Sequence, residues 1–120
     1  MNTLTVEINN PVKNFKPGDR VSGAALWQCE SPEEVIEVNL IFYTTGKGTP
    51  DSEIVEVLRV DSPSLTGRVE FDWVLPGSPY SFTGKLITLK WAVEVVALSS
   101  GDTARTDFDL TPDGREIVLK

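Results

Sequence analysis

The chain has no histidine, a single cysteine and no long apolar run. Histidine is the commonest general base near neutral pH and a common ligand of zinc, copper and iron, so its absence argues against catalysis and against a metal cofactor. One cysteine, Cys29, excludes an intrachain disulfide and fits a reducing compartment such as the cytoplasm. No segment reaches the roughly 20 apolar residues of a membrane-spanning helix, and the N-terminus lacks the basic start and apolar run of a signal peptide. We therefore expect a cytoplasmic protein that is not an enzyme, has no cofactor and does not insert directly into a membrane.

Positive charge is also scarce. The chain has 11 lysines and arginines against 18 aspartates and glutamates, which gives a formal net charge of -7. A negatively charged surface repels phosphate backbones and anionic lipid headgroups, so nucleic acid is not an expected partner. The length of 120 residues suits one domain that buries roughly two-thirds of the surface exposed by the unfolded chain. We therefore expect a single domain over residues 1–120.

What the chain does have is apolar residues with a period of two, which is typical of strands with one buried face. Proline, glycine, asparagine and aspartate separate these runs, as at Lys16-Pro17-Gly18-Asp19. Residues 44–53 are polar and glycine-containing, which predicts a loop, and Ser31 with Glu34 allows at most one turn of helix. The pattern predicts an all-β, two-sheet antiparallel sandwich of about seven to nine strands. The expected strands lie near residues 4–8, 21–29, 36–42, 54–60, 69–75, 87–95, 108–110 and 116–119.

One stretch carries a more specific signal. In Leu75 to Val96, LPGSPYSFTGKLITLKWAVEVV, a proline-marked turn leads into one long alternating strand. It resembles the N-terminal sandwich of arrestin-like proteins, which has a similar Leu-Pro pair, then Pro, Ser-Phe, Gly-Lys, and a strand of Trp and alternating valines. Pro17-Gly18 followed by Val21-Ser22-Gly23 is similar to the entry into the same domain. The resemblance covers most of the chain from Leu4 to Leu110 and implies an immunoglobulin-like, arrestin-like sandwich.

Arrestin-like proteins are adaptors and scaffolds, usually built from two such sandwiches. The resemblance therefore implies a non-catalytic protein-binding module that acts through loops and sheet edges, although a single sandwich departs from the usual plan. Lys13 and Lys16 lie near the first strand but lack basic neighbours, so the phosphate sensing of arrestins is not implied. The alternative function is a self-assembling structural subunit, a homo-oligomer joined by edge-strand pairing.

Two segments are candidates for contacts with a partner protein. Gly46, Lys47 and Gly48 lack the spacing and following helix of a phosphate-binding loop, so an exposed loop that contacts a partner is the functional interpretation. Ile117 and Val118 form the apolar middle of a terminal segment with charged ends. That segment is predicted to be an edge strand, which either protects itself or pairs with another chain.

Other groups are assigned to structure rather than to chemistry. Alternation with Phe108 and Leu110 places Asp107 and Asp109 on a wet strand face, so solvated charges are favoured over a calcium site that would also use Asp102 and Asp113. The carboxylate pairs Glu70 with Asp72 and Glu33 with Glu34 lie too close in sequence or face water, unlike a glycosidase pair. Cys29 and three tryptophans share parity with aliphatic neighbours and are expected in the core. The tryptophans are Trp27, Trp73 and Trp91.

Overall fold

The computed structural model describes residues 2–10, 14–46 and 51–112, and these residues form strands and turns without a helix. Nine strands follow one another along this part of the chain. They are β1 Thr3–Ile8, β2 Asn14–Phe15, β3 Arg20–Gln28, β4 Val35–Gly46, β5 Asp51–Asp61, β6 Thr66–Val74, β7 Phe82–Thr83, β8 Ile87–Ala97 and β9 Thr103–Leu110. None of the described residues belongs to a helix long and apolar enough to cross a membrane.

The strands form two sheets. The smaller sheet has the order β1-β3-β6, and the larger has the order β2-β9-β8-β4-β5 with the short β7 beside β8. Neighbouring strands are antiparallel except for β2 and β9, which are parallel. The predicted all-β sandwich and its number of strands are thus confirmed.

The core lies between the sheets, where the alternating apolar positions of both meet. Trp91 of β8 is fully buried, and its ring contacts those of Phe42 and Phe108 at centroid distances of 5.2 and 6.1 Å. Trp27 of β3 is buried too, whereas Trp73 is only half-buried because β6 is the last strand of the smaller sheet. The prediction of three core tryptophans therefore holds fully for two of them.

The turns follow the predicted chemistry. At Lys16-Pro17-Gly18-Asp19 the carboxylate of Asp19 accepts a hydrogen bond from the backbone N–H of Lys16 at 2.9 Å, and Gly18 has φ of 85°. A positive φ of this size favours glycine because a Cβ would clash with the backbone. This turn starts β3 in the register that brings Val21 opposite Trp73.

One expectation about local structure was wrong. Residues 44–46 and 51–53, which were predicted to be loop, belong to strands, because β4 continues to Gly46 beside β8 and β5 already begins at Asp51. β-branched threonines at the end of β4 suit a strand once a neighbouring ladder is available. Ser31 to Glu34 form no helical turn, which agrees with the prediction of at most one, and the Glu33 carboxylate accepts the backbone N–H of Ser99 at 2.9 Å. The predicted strand at 116–119 lies outside the described residues.

Candidate functional site: the free edge of the larger sheet

Strand β5 ends the larger sheet and is its most exposed long strand. Among the described residues β5 pairs with β4 and with no other strand, so the backbone groups on its far side have no ladder partner there. Every residue from Asp51 to Val57 is exposed. A free edge of this kind presents a row of N–H and C=O groups to which another chain can add a strand. We call Asp51–Asp61 the β5 edge.

A β-bulge decides which side chains share a face of this edge. Leu40 of β4 lies opposite Glu56, and the next residue, Ile41, lies opposite Ile54, so Val55 is the extra residue on β5. In a regular strand, Ile54 and Val57 would point to opposite faces because they are three positions apart. The bulge shifts the parity and places both on the outer face, which points away from the core.

The outer face of the edge is apolar. Ile54 and Val57 are 58% and 53% exposed. Ile54 lies opposite Ile41, which forms a small buried cluster with Tyr43 and Ala92 on this same face, separate from the main core. The cluster thus continues across the sheet to the exposed Ile54, and Val57 lies on the same face opposite Asn39.

Tyr43, the buried aromatic residue of this cluster, contacts charged side chains of β9. The Arg105 guanidinium lies 4.1 Å from the centroid of its ring, a cation–π contact. Burial raises the pKa of Tyr43, the hydrogen bond to Asp107 and the charge of that carboxylate add to the effect, and Arg105 opposes it. The tyrosine is therefore neutral at physiological pH.

The inner face of the same edge is acidic. Glu53 lies opposite Phe42 and Glu56 opposite Leu40, and both of those β4 residues point towards the core. The two carboxylates are exposed nevertheless. Within the described part of the chain, neither forms an ion pair or a side-chain hydrogen bond. One edge thus presents apolar chemistry on one face and negative charge on the other.

Of the predicted contact residues, the structure describes Gly46 alone. It ends β4 opposite Ile87, is exposed, and has φ of 126°. A Cβ at this position would contact the carbonyl oxygen of Leu86, so the site requires glycine. Gly46 therefore lies at the end of the β5 edge where β4 leads into it. Lys47, Gly48, Ile117 and Val118 lie outside the described residues.

Several acidic groups considered as metal or catalytic candidates already have a partner within this domain. Asp109 binds Lys90 at 2.9 Å, and Asp102 accepts a hydrogen bond from Asn2 at 2.9 Å. In residues 2–10, 14–46 and 51–112 there is no group of three or more His, Cys, Asp or Glu side chains placed to hold a metal ion. Glu70 and Asp72 are exposed and each pairs with an arginine, at 2.8 and 3.1 Å respectively. Asp113 lies outside the described residues.

Cys29 is buried, as predicted. Burial raises the pKa of its thiol, and the charges of Glu33 and Asp102 raise it further. A thiol of this kind is mostly protonated near neutral pH and is a poor nucleophile. The observation assigns Cys29 to the core.

Ile54 and Val57 are the site residues that the sequence pattern did not reveal. Their signal is the pair of adjacent apolar doublets, Ile54-Val55 and Val57-Leu58, which interrupts strict alternation. Such doublets on a strand indicate either burial on both faces or a bulge.

Comparison with known proteins agrees with this architecture. No protein-family model and no curated protein matches the chain. Among solved structures, Spo0M, a sporulation control protein from Bacillus subtilis, matches 99% of this chain with a TM-score of 0.60 and 14% identity. The fold is an arrestin-like β-sandwich. At this identity the likeness shows the fold alone, and the chain spans 49% of the length of Spo0M.

A second group of matches is more distant. A beta-glucosidase from Listeria innocua, crystallised with gluconolactone, matches 97% of this chain with a TM-score of 0.48 and 18% identity, over 16% of the enzyme. A TM-score below one half carries no argument about either fold or activity.

Proposed function

We propose that the chain is a non-catalytic protein-binding module, an adaptor or scaffold, and that it engages its partner through the β5 edge. The observation that carries the proposal is the free strand edge on which Ile54 and Val57 are more than half exposed. Soluble domains normally blunt or cover such an edge, and an exposed one with apolar side chains is a typical place for strand addition. The arrestin-like fold is compatible with an adaptor role.

The partners of the acidic groups support the non-catalytic part of the proposal. General acid–base chemistry needs two groups held around one substrate. Glu70 and Asp72 are exposed, and each forms an ion pair with an arginine. The Glu33 carboxylate accepts a hydrogen bond from the backbone of the β8–β9 turn. We also propose a cytoplasmic location, which the unpaired, buried thiol of Cys29 suits.

A photo-crosslinking experiment in the source organism tests the site. Benzoylphenylalanine is placed at position 54 of the β5 edge or, as a matched control, at position 98, where the native leucine is 47% exposed in another part of the surface. The expected result is a crosslinked protein partner from position 54 and none from position 98. Equal products from both positions, or none from position 54, would contradict the proposal.

The alternative, a subunit that assembles with itself, would use the same free edge. Under that alternative the product from position 54 is a second copy of this chain. Sedimentation velocity of the purified protein separates the two functions, because an adaptor sediments as a monomer over the concentration range in which an edge-joined subunit forms dimers or larger assemblies.

A further inference from the structure

We propose that the partner strand at the β5 edge alternates apolar residues with lysine or arginine. This inference rests on the proposed function and specifies the chemistry of the partner. It follows from the different chemistry of the two faces of the same edge.

Because side chains of a strand alternate between the two faces of a sheet, the two faces of the β5 edge predict a sequence pattern for the partner strand. A strand added beside β5 would lie about 4.8 Å away, with successive side chains on opposite faces. Those on the outer face would lie beside Ile54 and Val57, and those on the inner face beside Glu53 and Glu56. Directly opposed side chains on neighbouring strands have Cβ atoms about 5 Å apart and interact. The edge therefore favours apolar side chains at every second position and positive charges between them.

The carboxylates are available for such a partner. Glu53 and Glu56 have no counter-charge among the described residues, and both are exposed. The positive charge nearest in sequence, Arg59, lies on the outer face opposite Glu37 and is paired with Asp61 at 2.9 Å. A lysine or arginine on the added strand would pair with an otherwise unpaired carboxylate, whereas an aspartate or glutamate would be repelled.

The same charges disfavour a second copy as the occupant. An antiparallel copy that extends the sheet would place its inner face beside the inner face of the first. In a register centred on the exposed part of β5, Asp51, Glu53 and Glu56 of one chain would face those of the other, and like charges across a strand pair are destabilising. Inward-pointing charges are a known way to prevent edge-to-edge association of identical chains. The β5 edge is therefore expected to pair with a basic strand of another protein rather than with the β5 edge of a second copy.

The test uses the full chain and a synthetic peptide as long as β5, 11 residues, in which lysine and valine alternate. Affinity is measured by calorimetry, and amide hydrogen exchange of the chain is followed by NMR with and without peptide. We expect the peptide to bind and to slow exchange at the outward amides of β5. A peptide in which glutamate replaces every lysine is expected not to bind.

Matched variants separate the edge from diffuse attraction to an acidic protein. E53Q/E56Q removes two charges from the β5 edge, and E7Q/E70Q removes two from exposed positions on the smaller sheet. We expect E53Q/E56Q to weaken peptide binding by about fivefold to tenfold, as two cross-strand ion pairs predict, and E7Q/E70Q to change it by less than about twofold. Equal weakening by both variants, or binding without slower exchange in β5, would overturn the inference.

The two proposals fail in different ways. If position 54 crosslinks to a partner but the peptide binds no better than its acidic counterpart, the charge inference is wrong and the β5 edge remains the binding site. If position 54 yields no partner and the peptide leaves β5 exchange unchanged, both proposals are wrong. Removal of like charges should strengthen pairing between copies. If the parent chain self-associates and E53Q/E56Q leaves that association unchanged or weakens it, the inference is also overturned.

Discussion

Replacing Trp91 with alanine should remove a large part of the stability of the domain. The side chain is fully buried, packs on Phe42 and Phe108, and donates an indole N–H hydrogen bond to the carbonyl oxygen of Pro79 at 2.8 Å. Truncation of a buried tryptophan costs about 3–5 kcal/mol through lost burial and the residual cavity. Domains of this kind have unfolding free energies of only about 5–15 kcal/mol.

The assay is urea unfolding followed by far-UV circular dichroism, because tryptophan fluorescence would itself change with the substitution. Trp91→Phe keeps most of the ring volume but cannot donate to Pro79, so we expect it to lose about 1–2 kcal/mol and to stay measurable if Trp91→Ala does not fold. Leu98→Ala, at a 47% exposed position, should lie within about 0.5 kcal/mol of the parent. A loss below about 1 kcal/mol for Trp91→Ala at an unchanged m-value would refute the assignment of Trp91 to the centre of the core.

Three further predictions concern single positions. Cys29 should react with a thiol reagent only at the rate at which the protein opens, because the thiol is buried and its pKa is raised; labelling as fast as a free peptide thiol would contradict this. Gly67→Ala should destabilise by about 1–3 kcal/mol in thermal or urea unfolding, because its Cβ would meet the indole ring of Trp27 with Cε2 at 2.7 Å, whereas Gly77→Ala meets nothing within 4 Å and should be neutral or slightly stabilising. Deleting Val55 should leave the fold intact but remove the bulge and flatten the edge, so sedimentation velocity should show stronger self-association than in the parent.

The fold could be predicted because strand parity is a local property. A period of two needs only the residues of one strand, so it correctly placed Trp91 and Trp27 inside and Asp107 on the outer face of β9. Two kinds of information were missing. The short β2 at Asn14–Phe15 forms by parallel pairing with β9, far along the chain, and the extent of β4 depends on the ladder that β8 supplies.

The candidate site was missed for a related reason. A bulge is defined by two strands, because an extra residue exists only relative to the partner it fails to match. The doublets around Val55 break alternation but do not say which residue is the extra one. Residues 116–119 look like a short amphipathic strand and were therefore the predicted edge, and they lie outside the described residues. Among the described residues, β5 is the exposed long strand at the end of the larger sheet.

The position of the charges at the β5 edge bears on the choice between an adaptor and an assembly. A strand edge whose only task is to avoid aggregation can use charges of either sign and need not expose apolar side chains. Here the charges on the inner face of the exposed part, at Glu53 and Glu56, are both negative. On the outer face, the apolar side chains of Ile54 and Val57 are exposed to water. Exposed apolar area lowers solubility, so its combination with a charge pattern that repels a second copy is best explained by a different chain that covers it. The adaptor is therefore the favoured proposal, and the charge of the added strand is the property that distinguishes the partner from a second copy of this chain.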